Sequence, residues 1–301
     1  MSDQQKGHFY NLLSVLAMAI GPLISKFGLL HVSPAIAAIL NVVTILMASY
    51  LVGVFSRKGI TFYFEKEILM LAIFNSLGVI FMFISMNLLS PVEVGFLGRF
   101  YTVFAVLLSV VILKERLSKL EVLFITLAIL GAFLFVEKGN GHSANGFGAL
   151  FAVLYTFFFA LTNIYIKKTL SEHKSSNSIL FTNNCITLCF VVGYAFLSGE
   201  LANGLTSLEG IGYIMIASLL TGFLGTILLY QALKYLRFSI ANVTRAFSPV
   251  ILAILSYPFF PIKITIKNSI GAVVLVGSII LLTVKPKAES GTRRARNKTG
   301  D

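Results

Sequence analysis

The sequence predicts an all-α integral membrane protein with ten transmembrane helices in two inverted five-helix repeats. Three observations lead to this prediction: the composition, a succession of long apolar segments, and a repeat of features between the two halves. The chain has 301 residues, of which 57% are hydrophobic and 12% are charged. Soluble proteins carry about 25% charged residues, so a water-soluble core does not fit this composition.

The apolar segments are long enough to cross a hydrocarbon layer of about 30 Å. They are predicted to be helices, because lipid offers no partner to free backbone groups and the segments lack the alternation of strands. We interpret the first as an uncleaved span, since cleavage after "AMA" would leave only half of it. The predicted spans are 9–29, 34–55, 68–89, 91–113, 119–136, 146–166, 177–197, 210–233, 238–260 and 266–284.

The distribution of Lys and Arg predicts the orientation. With a cytoplasmic N-terminus, 18 of the 24 Lys and Arg fall in cytoplasmic connections or tails and 4 fall outside. Both termini are therefore predicted to be cytoplasmic, with residues 1–8 as a short tail and 285–301 as a basic tail. That tail either anchors the topology or attracts anionic lipid. Because the net charge of +12 lies in loops and a tail, no nucleic acid is expected as a partner.

A shift of 146 residues places features of the second half on those of the first. Arg99 falls on Arg245, and Gly131 falls on Gly277. Each half has five predicted spans, and an odd number inserts the second copy upside down. The predicted repeats are residues 9–138 and 139–284. Inverted repeats of this kind are common in secondary transporters, with sites near the midplane at the repeat interface.

Arg99 and Arg245 lie inside predicted spans, where a charge costs about 2.5–3.5 kcal/mol on insertion scales. All acidic residues except Glu93 belong to connections, span ends or tails, so protein carboxylates hardly neutralise the two arginines. Two interpretations stay open. A bound carboxylate or phosphate pairs with a guanidinium fork, or the arginines cap backbone carbonyls at a broken helix.

The hypothesis of a bound anion gives a set of candidate substrate-binding residues: Arg99, Arg245, Tyr101, Asn163, Tyr230 and Asn242. Small and polar residues flank both arginines, which suits close helix approach or a wet cavity. Gly21-Pro22 is predicted to break the first span, while Gly222 and Gly225 are predicted to loosen the eighth. Such points are candidate hinges.

Enzymatic chemistry is not expected. The four histidines lie at span ends or in connections, and the sequence has no catalytic or metal-binding motif. Cys185 and Cys189 are predicted to pack as small apolar side chains on one helix face. We therefore predict no catalytic residue, no metal and no cofactor.

Two stretches resemble the drug/metabolite transporter superfamily, in its EamA-like branch. They are "SPVEVGFLGRFYTVFAVLLSVVILKERLSKLEVLFITLAILGAFLF" (90–135) and "LYQALKYLRFSIANVTRAFSPVILAIL" (229–255). Within them, "LKERL" resembles the family's turn between the fourth and fifth spans. The resemblance implies a carrier of the plasma membrane that moves small metabolites by alternating access, often as an exporter. Amino acids and related compounds are typical substrates of this branch, and bound cofactors are not.

These observations predict a secondary carrier of small polar or anionic metabolites in the bacterial inner membrane. Its partners would be a small-molecule substrate and the lipid bilayer, and the carrier would be a monomer or a homodimer. Two other functions are compatible with the sequence. One is a translocase of lipid or lipid phosphate, and the other is a membrane scaffold or receptor that transports nothing.

Overall fold

The computed structural model describes residues 2–56, 59–89, 94, 97–98, 100–135, 146–170, 174–203, 207–244, 248 and 265–284. All regular secondary structure within these ranges is helical, as predicted. The helices are α1 (Asp3–Gly28), α2 (Pro34–Phe55), α3 (Lys66–Leu88), α4 (Phe100–Ile112), α5 (Lys119–Phe135), α6 (Gly146–Leu170), α7 (Ser176–Leu197), α8 (Leu208–Tyr235), α9 (Phe238–Thr244) and α10 (Ile266–Val284). A short 3₁₀ turn, Glu200–Asn203, follows α7.

Six of these helices, α1, α2, α3, α6, α7 and α8, are long and apolar enough to cross a membrane. The chain is therefore a multi-pass membrane protein. The observed helix bounds lie within a few residues of the predicted spans for most of the chain. Ten crossings remain a prediction, because the predicted spans 91–113 and 238–260 extend beyond the described residues.

Local chemistry sets where several helices begin. The Ser2 side chain accepts a hydrogen bond from the backbone of Gln5, and the Gln5 side chain accepts one from the backbone of Ser2. This capping box satisfies otherwise free N–H groups and starts α1 six residues before the predicted span. Ser33 caps α2, whose first residue is Pro34. Proline suits that position because the N–H that it lacks would have no partner there.

The prediction that Gly21-Pro22 breaks the first span is wrong, because α1 runs through Pro22 without interruption. Neighbouring helices support a proline inside a membrane helix. Gly21 instead serves close packing: a Cβ there would overlap the Thr221 methyl group in the middle of α8. The eighth span does depart from α-helical geometry as expected, since its segment Ser218–Gly225 is wound as a π-helix.

Gly21→Ala should destabilise the protein, because the added methyl group overlaps Cγ2 of Thr221. Overpacking of this kind costs about 1–3 kcal/mol. Thr221→Ser removes that methyl group and keeps the hydroxyl, so Gly21→Ala/Thr221→Ser should recover most of the lost thermal stability in detergent. Gly193→Ala is the matched control, because in the described part of the chain no atom beyond its own helix backbone lies within 4 Å of the added Cβ. A double variant as unstable as Gly21→Ala alone would contradict the explanation.

The main helix contacts join the first half of the chain, α1–α5, to the second half, α6–α10. α1 packs against α8, α2 against α7, α3 against α6, α4 against α9, and α5 against α10. The two halves can be exchanged on paper by replacing α1 with α6, α2 with α7, and so on through α5 with α10. This exchange converts the α1–α8 contact into the α6–α3 contact. It leaves the other three pairs unchanged. These five pairs of helices therefore form a set that stays the same when the two halves are exchanged.

Candidate functional site

Tyr101 and Asn163 form a polar pair between the halves. Tyr101 lies in the first turn of α4 and Asn163 lies in α6, and both side chains are half-buried. The Asn163 Nδ2 group donates a hydrogen bond of 2.7 Å to the Tyr101 hydroxyl. Both belong to the set of candidate substrate-binding residues that the sequence predicts. The fold brings them together because α4 packs against α6.

Tyr230 of α8 is buried, with 1% of its surface exposed. It belongs to the same apolar cluster as Ala160 and Ile164 of α6, and Tyr101 packs against that cluster. Tyr230 is therefore part of the apolar cluster that Tyr101 contacts. For a solute to reach this tyrosine, the helices around it must separate.

The other three candidates lie wholly or partly outside the described residues. Arg99 immediately precedes Phe100, the first residue of α4, and Arg245 follows Thr244, the last residue of α9. Asn242 lies within α9, but its side chain is not described. The predicted roles of these residues remain untested.

Two further polar pairs join the halves within the predicted spans. Asn41 of α2 donates a hydrogen bond of 2.9 Å from Nδ2 to the Ser218 hydroxyl of α8. Asn75 of α3 donates one of 3.1 Å from Nδ2 to the Thr187 hydroxyl of α7. The helix exchange described above converts α2–α8 into α7–α3, so the two hydrogen bonds join equivalent pairs of helices.

α1 contributes polar contacts to both α8 and α9. The Asn11 Nδ2 group donates a hydrogen bond of 3.1 Å to the Ala241 carbonyl. The Ser14 hydroxyl donates one of 2.6 Å to the carbonyl of Gly225, the last residue of the π-helix. Asn11 and Ser14 share one face of α1 because they are three residues apart. Among the described residues, nothing donates to Asn11 Oδ1, although this atom is buried.

Charged contacts tie the halves together at the end of the bundle predicted to face the cytoplasm. Glu65 forms an ion pair with Lys174, and Glu121 forms one with Arg237. Glu115 Oε1 accepts a hydrogen bond of 2.8 Å from the first backbone N–H of α9. A carboxylate at a helix N-terminus is stabilised by the helix dipole. Each partly exposed ion pair contributes at most about 1 kcal/mol, so these ion pairs add little to the stability of the contact between the halves.

Comparison with known families decides which kind of protein carries this arrangement. The model of the EamA-like transporter family matches residues 5–137 and again residues 146–284. The chain belongs to the EamA-like transporter family. The two matches cover most of the chain, one in each half.

One curated relative and one solved structure are similar to this chain. This EamA-like chain is 26% identical over 181 residues to an uncharacterized transporter of Archaeoglobus fulgidus. That match covers 60% of this chain and 63% of the relative, which is less than two thirds of either. A crystal structure with 14% sequence identity superposes with a TM-score of 0.76, over 93% of this chain and 98% of that chain. At such low identity, the superposition shows a shared fold alone.

Several polar contacts of the EamA-like bundle escaped the sequence analysis. Asn11, Ser14 and Ser218 make contacts between the halves but were not among the candidates. Ser14 and Ser218 look like ordinary small residues of membrane helices. Asn11 carries the clearer signal, because an amide near a span terminus needs a partner whenever the helix is buried.

Proposed function

We propose that this chain is a secondary-active transporter that exports small polar or anionic metabolites, such as amino acids, by alternating access across the bacterial inner membrane. The observation that carries the proposal is the Tyr101–Asn163 pair. This pair lies between the two halves and offers one hydroxyl and one amide. Tyr101 follows Arg99 by two residues in the sequence. A polar solute held there would contact both halves at once, and its binding would depend on how they are arranged.

Two features support an inverted arrangement of the halves. The family model matches twice, and the five helix pairs described above are unchanged when the halves are exchanged. An inverted pair related by an axis in the membrane plane produces such a pattern and gives two equivalent arrangements, one open to each side. The Lys and Arg distribution supports cytoplasmic termini.

The chemistry of the site favours a substrate with a carboxylate or phosphate. The predicted spans carry two arginines, while the acidic residues belong to connections, span ends or tails, apart from Glu93. A guanidinium in a low-dielectric site binds such an anion with charge-assisted hydrogen bonds. The neighbouring amides and hydroxyls can bind the remaining polar groups of the substrate.

The experiment begins with the purified protein. Thermal stabilisation by a panel of L-amino acids, organic acids and sugar phosphates selects a substrate, whose counterflow is then measured in proteoliposomes. Asn163→Leu should raise KM about 2- to 10-fold, because one hydrogen bond contributes about 0.5–1.5 kcal/mol. Asn87→Leu, an exposed asparagine near the end of α3, is the matched control. Failure of every panel compound to exchange, or an unchanged KM in Asn163→Leu, would contradict the proposal.

A further inference from the structure

The helices α3 and α8 end in the same way at equivalent places of the two halves. α3 is followed by Leu89, with φ −115° and ψ 155°, and α8 is followed by Leu236, with φ −106° and ψ 153°. Each leucine donates its backbone N–H to the carbonyl four residues earlier, and each is 4% exposed. Both helices therefore stop abruptly in extended backbone, with a leucine buried at the end.

A lysine caps each of these helix ends. Lys26, in the last turn of α1, donates from Nζ to the Met86 carbonyl at 2.8 Å and to the Leu89 carbonyl at 3.3 Å. Lys167, in the last turn of α6, donates to the carbonyls of Leu233 and Leu236. In both cases the acceptors are the terminal leucine and the residue three before it. A cation at these positions satisfies free carbonyls and stabilises the negative end of the helix dipole.

A glycine of the opposite half lies against each terminal leucine. A Cβ on Gly148, near the start of α6, would lie 2.8 Å from Cδ2 of Leu89. A Cβ on Gly7, near the start of α1, would lie 2.8 Å from Cγ of Leu236. The lysine and leucine of each set thus belong to one half, while the glycine belongs to the other.

The two sets lie at opposite ends of the bundle. Nineteen positions separate Gly7 from Lys26 in α1, and nineteen separate Gly148 from Lys167 in α6. At 1.5 Å per residue this is about 28 Å along either helix, close to the thickness of the hydrocarbon layer. One leucine therefore lies near each face of the membrane.

We propose that Leu89 against Gly148 and Leu236 against Gly7 are the two gates of the transport cycle, and that Lys26 and Lys167 are positioning residues that hold the gate leucines. This inference rests on the proposed function. When the halves move apart at one face, the leucine leaves the glycine of the other half. The lysine lies in the same half as its leucine, so its cap can persist and keep the helix end intact. The gate can then close again without refolding.

The test measures which face of the bundle is open. A reporter, Asn163→Cys, is placed in a background with Cys185→Ala and Cys189→Ala, and a membrane-impermeant thiosulfonate is applied from either side of oriented vesicles.

Gly148→Leu should raise labelling from the Leu89 side about tenfold, because the added side chain holds that gate apart. Gly7→Leu should raise labelling from the Leu236 side only. Gly193→Leu should change neither, because no described neighbour lies within 4 Å of a Cβ at that position.

The lysines give a second measurement that does not depend on overpacking. Lys26→Met should raise labelling from the Leu89 side and Lys167→Met from the Leu236 side, while the matching Lys→Arg variants should restore a closed gate. If Gly148→Leu or Gly7→Leu does not reach the membrane, the lysine variants decide the question alone. The proposal that these leucines are gates would be wrong if each variant were labelled equally from both sides, or if no variant changed the labelling of the reporter cysteine. Side-specific labelling together with no solute exchange by the unsubstituted protein, which keeps Asn163, would leave the gates standing and contradict the proposed transport.

Discussion

Transport by Arg99→Gln is expected to be nearly lost, with KM for an anionic substrate raised about 10- to 100-fold. A charge-assisted hydrogen bond contributes about 1.5–3 kcal/mol, and glutamine keeps a donor but removes the charge and the guanidinium fork. Arg245→Gln should reduce transport in the same way if both arginines face the substrate. The measurement is counterflow in proteoliposomes, with the melting temperature of each variant recorded alongside.

The control for this prediction is Arg116→Gln, an exposed arginine in the turn before α5. Its transport should equal that of the unsubstituted protein. If both membrane arginine variants transport normally, a substrate anion does not bind at either position. If instead they melt at a lower temperature and transport with an unchanged KM, the arginines cap backbone carbonyls, which is the second interpretation of the sequence.

The second large effect is expected for Gly131→Ala, which should lower Tm by about 2–8 °C. A Cβ at Gly131 would lie 2.7 Å from the Leu275 backbone nitrogen and 2.9 Å from the Gly271 carbonyl oxygen. Both atoms belong to the backbone of α10, so no side chain can rotate away to make room. The substitution must push α5 and α10 apart, at a cost of about 1–3 kcal/mol. A thermal denaturation curve in detergent measures the change.

Gly277→Ala provides the internal control. Gly277 is the repeat counterpart of Gly131 in the sequence, yet among the described residues no atom of another helix lies within 4 Å of a Cβ placed there. The two glycines should therefore respond differently, with Gly277→Ala neutral or slightly stabilising because alanine favours the helix. Equal destabilisation by both substitutions would mean that helix packing at Gly131 does not cause the effect.

The helical spans were predictable because two constraints act on every residue of a membrane helix. The backbone must satisfy its own hydrogen bonds, and the segment must be long enough to cross the bilayer. Six described helices meet both conditions close to the predicted bounds. The error at Pro22 has a related cause. A proline removes only one or two hydrogen bonds of a helix, so α1 continues through Pro22 where Gly21 packs closely on α8.

The candidate site was predictable only in part. Tyr101 and Asn163 are polar residues in apolar surroundings, which made both of them candidates, but their mutual hydrogen bond depends on α4 packing against α6. Ser218 gave no signal, because a serine in a membrane helix satisfies itself on its own backbone as readily as it meets a partner. Its bond with Asn41 exists because the halves place α2 beside α8.

The sequence by itself determined the membrane class, most span bounds and the family resemblance, since hydrophobic length and local capping are properties of contiguous residues. The tertiary structure decided which residues meet. Lys26 and Lys167 looked like ordinary span-end charges, and Gly7 and Gly148 like ordinary glycines, until the fold placed them around Leu89 and Leu236. These residues lie about 60 to 230 positions apart in the chain. Packing within each half brings each lysine to its leucine, and packing of one half against the other adds the glycine.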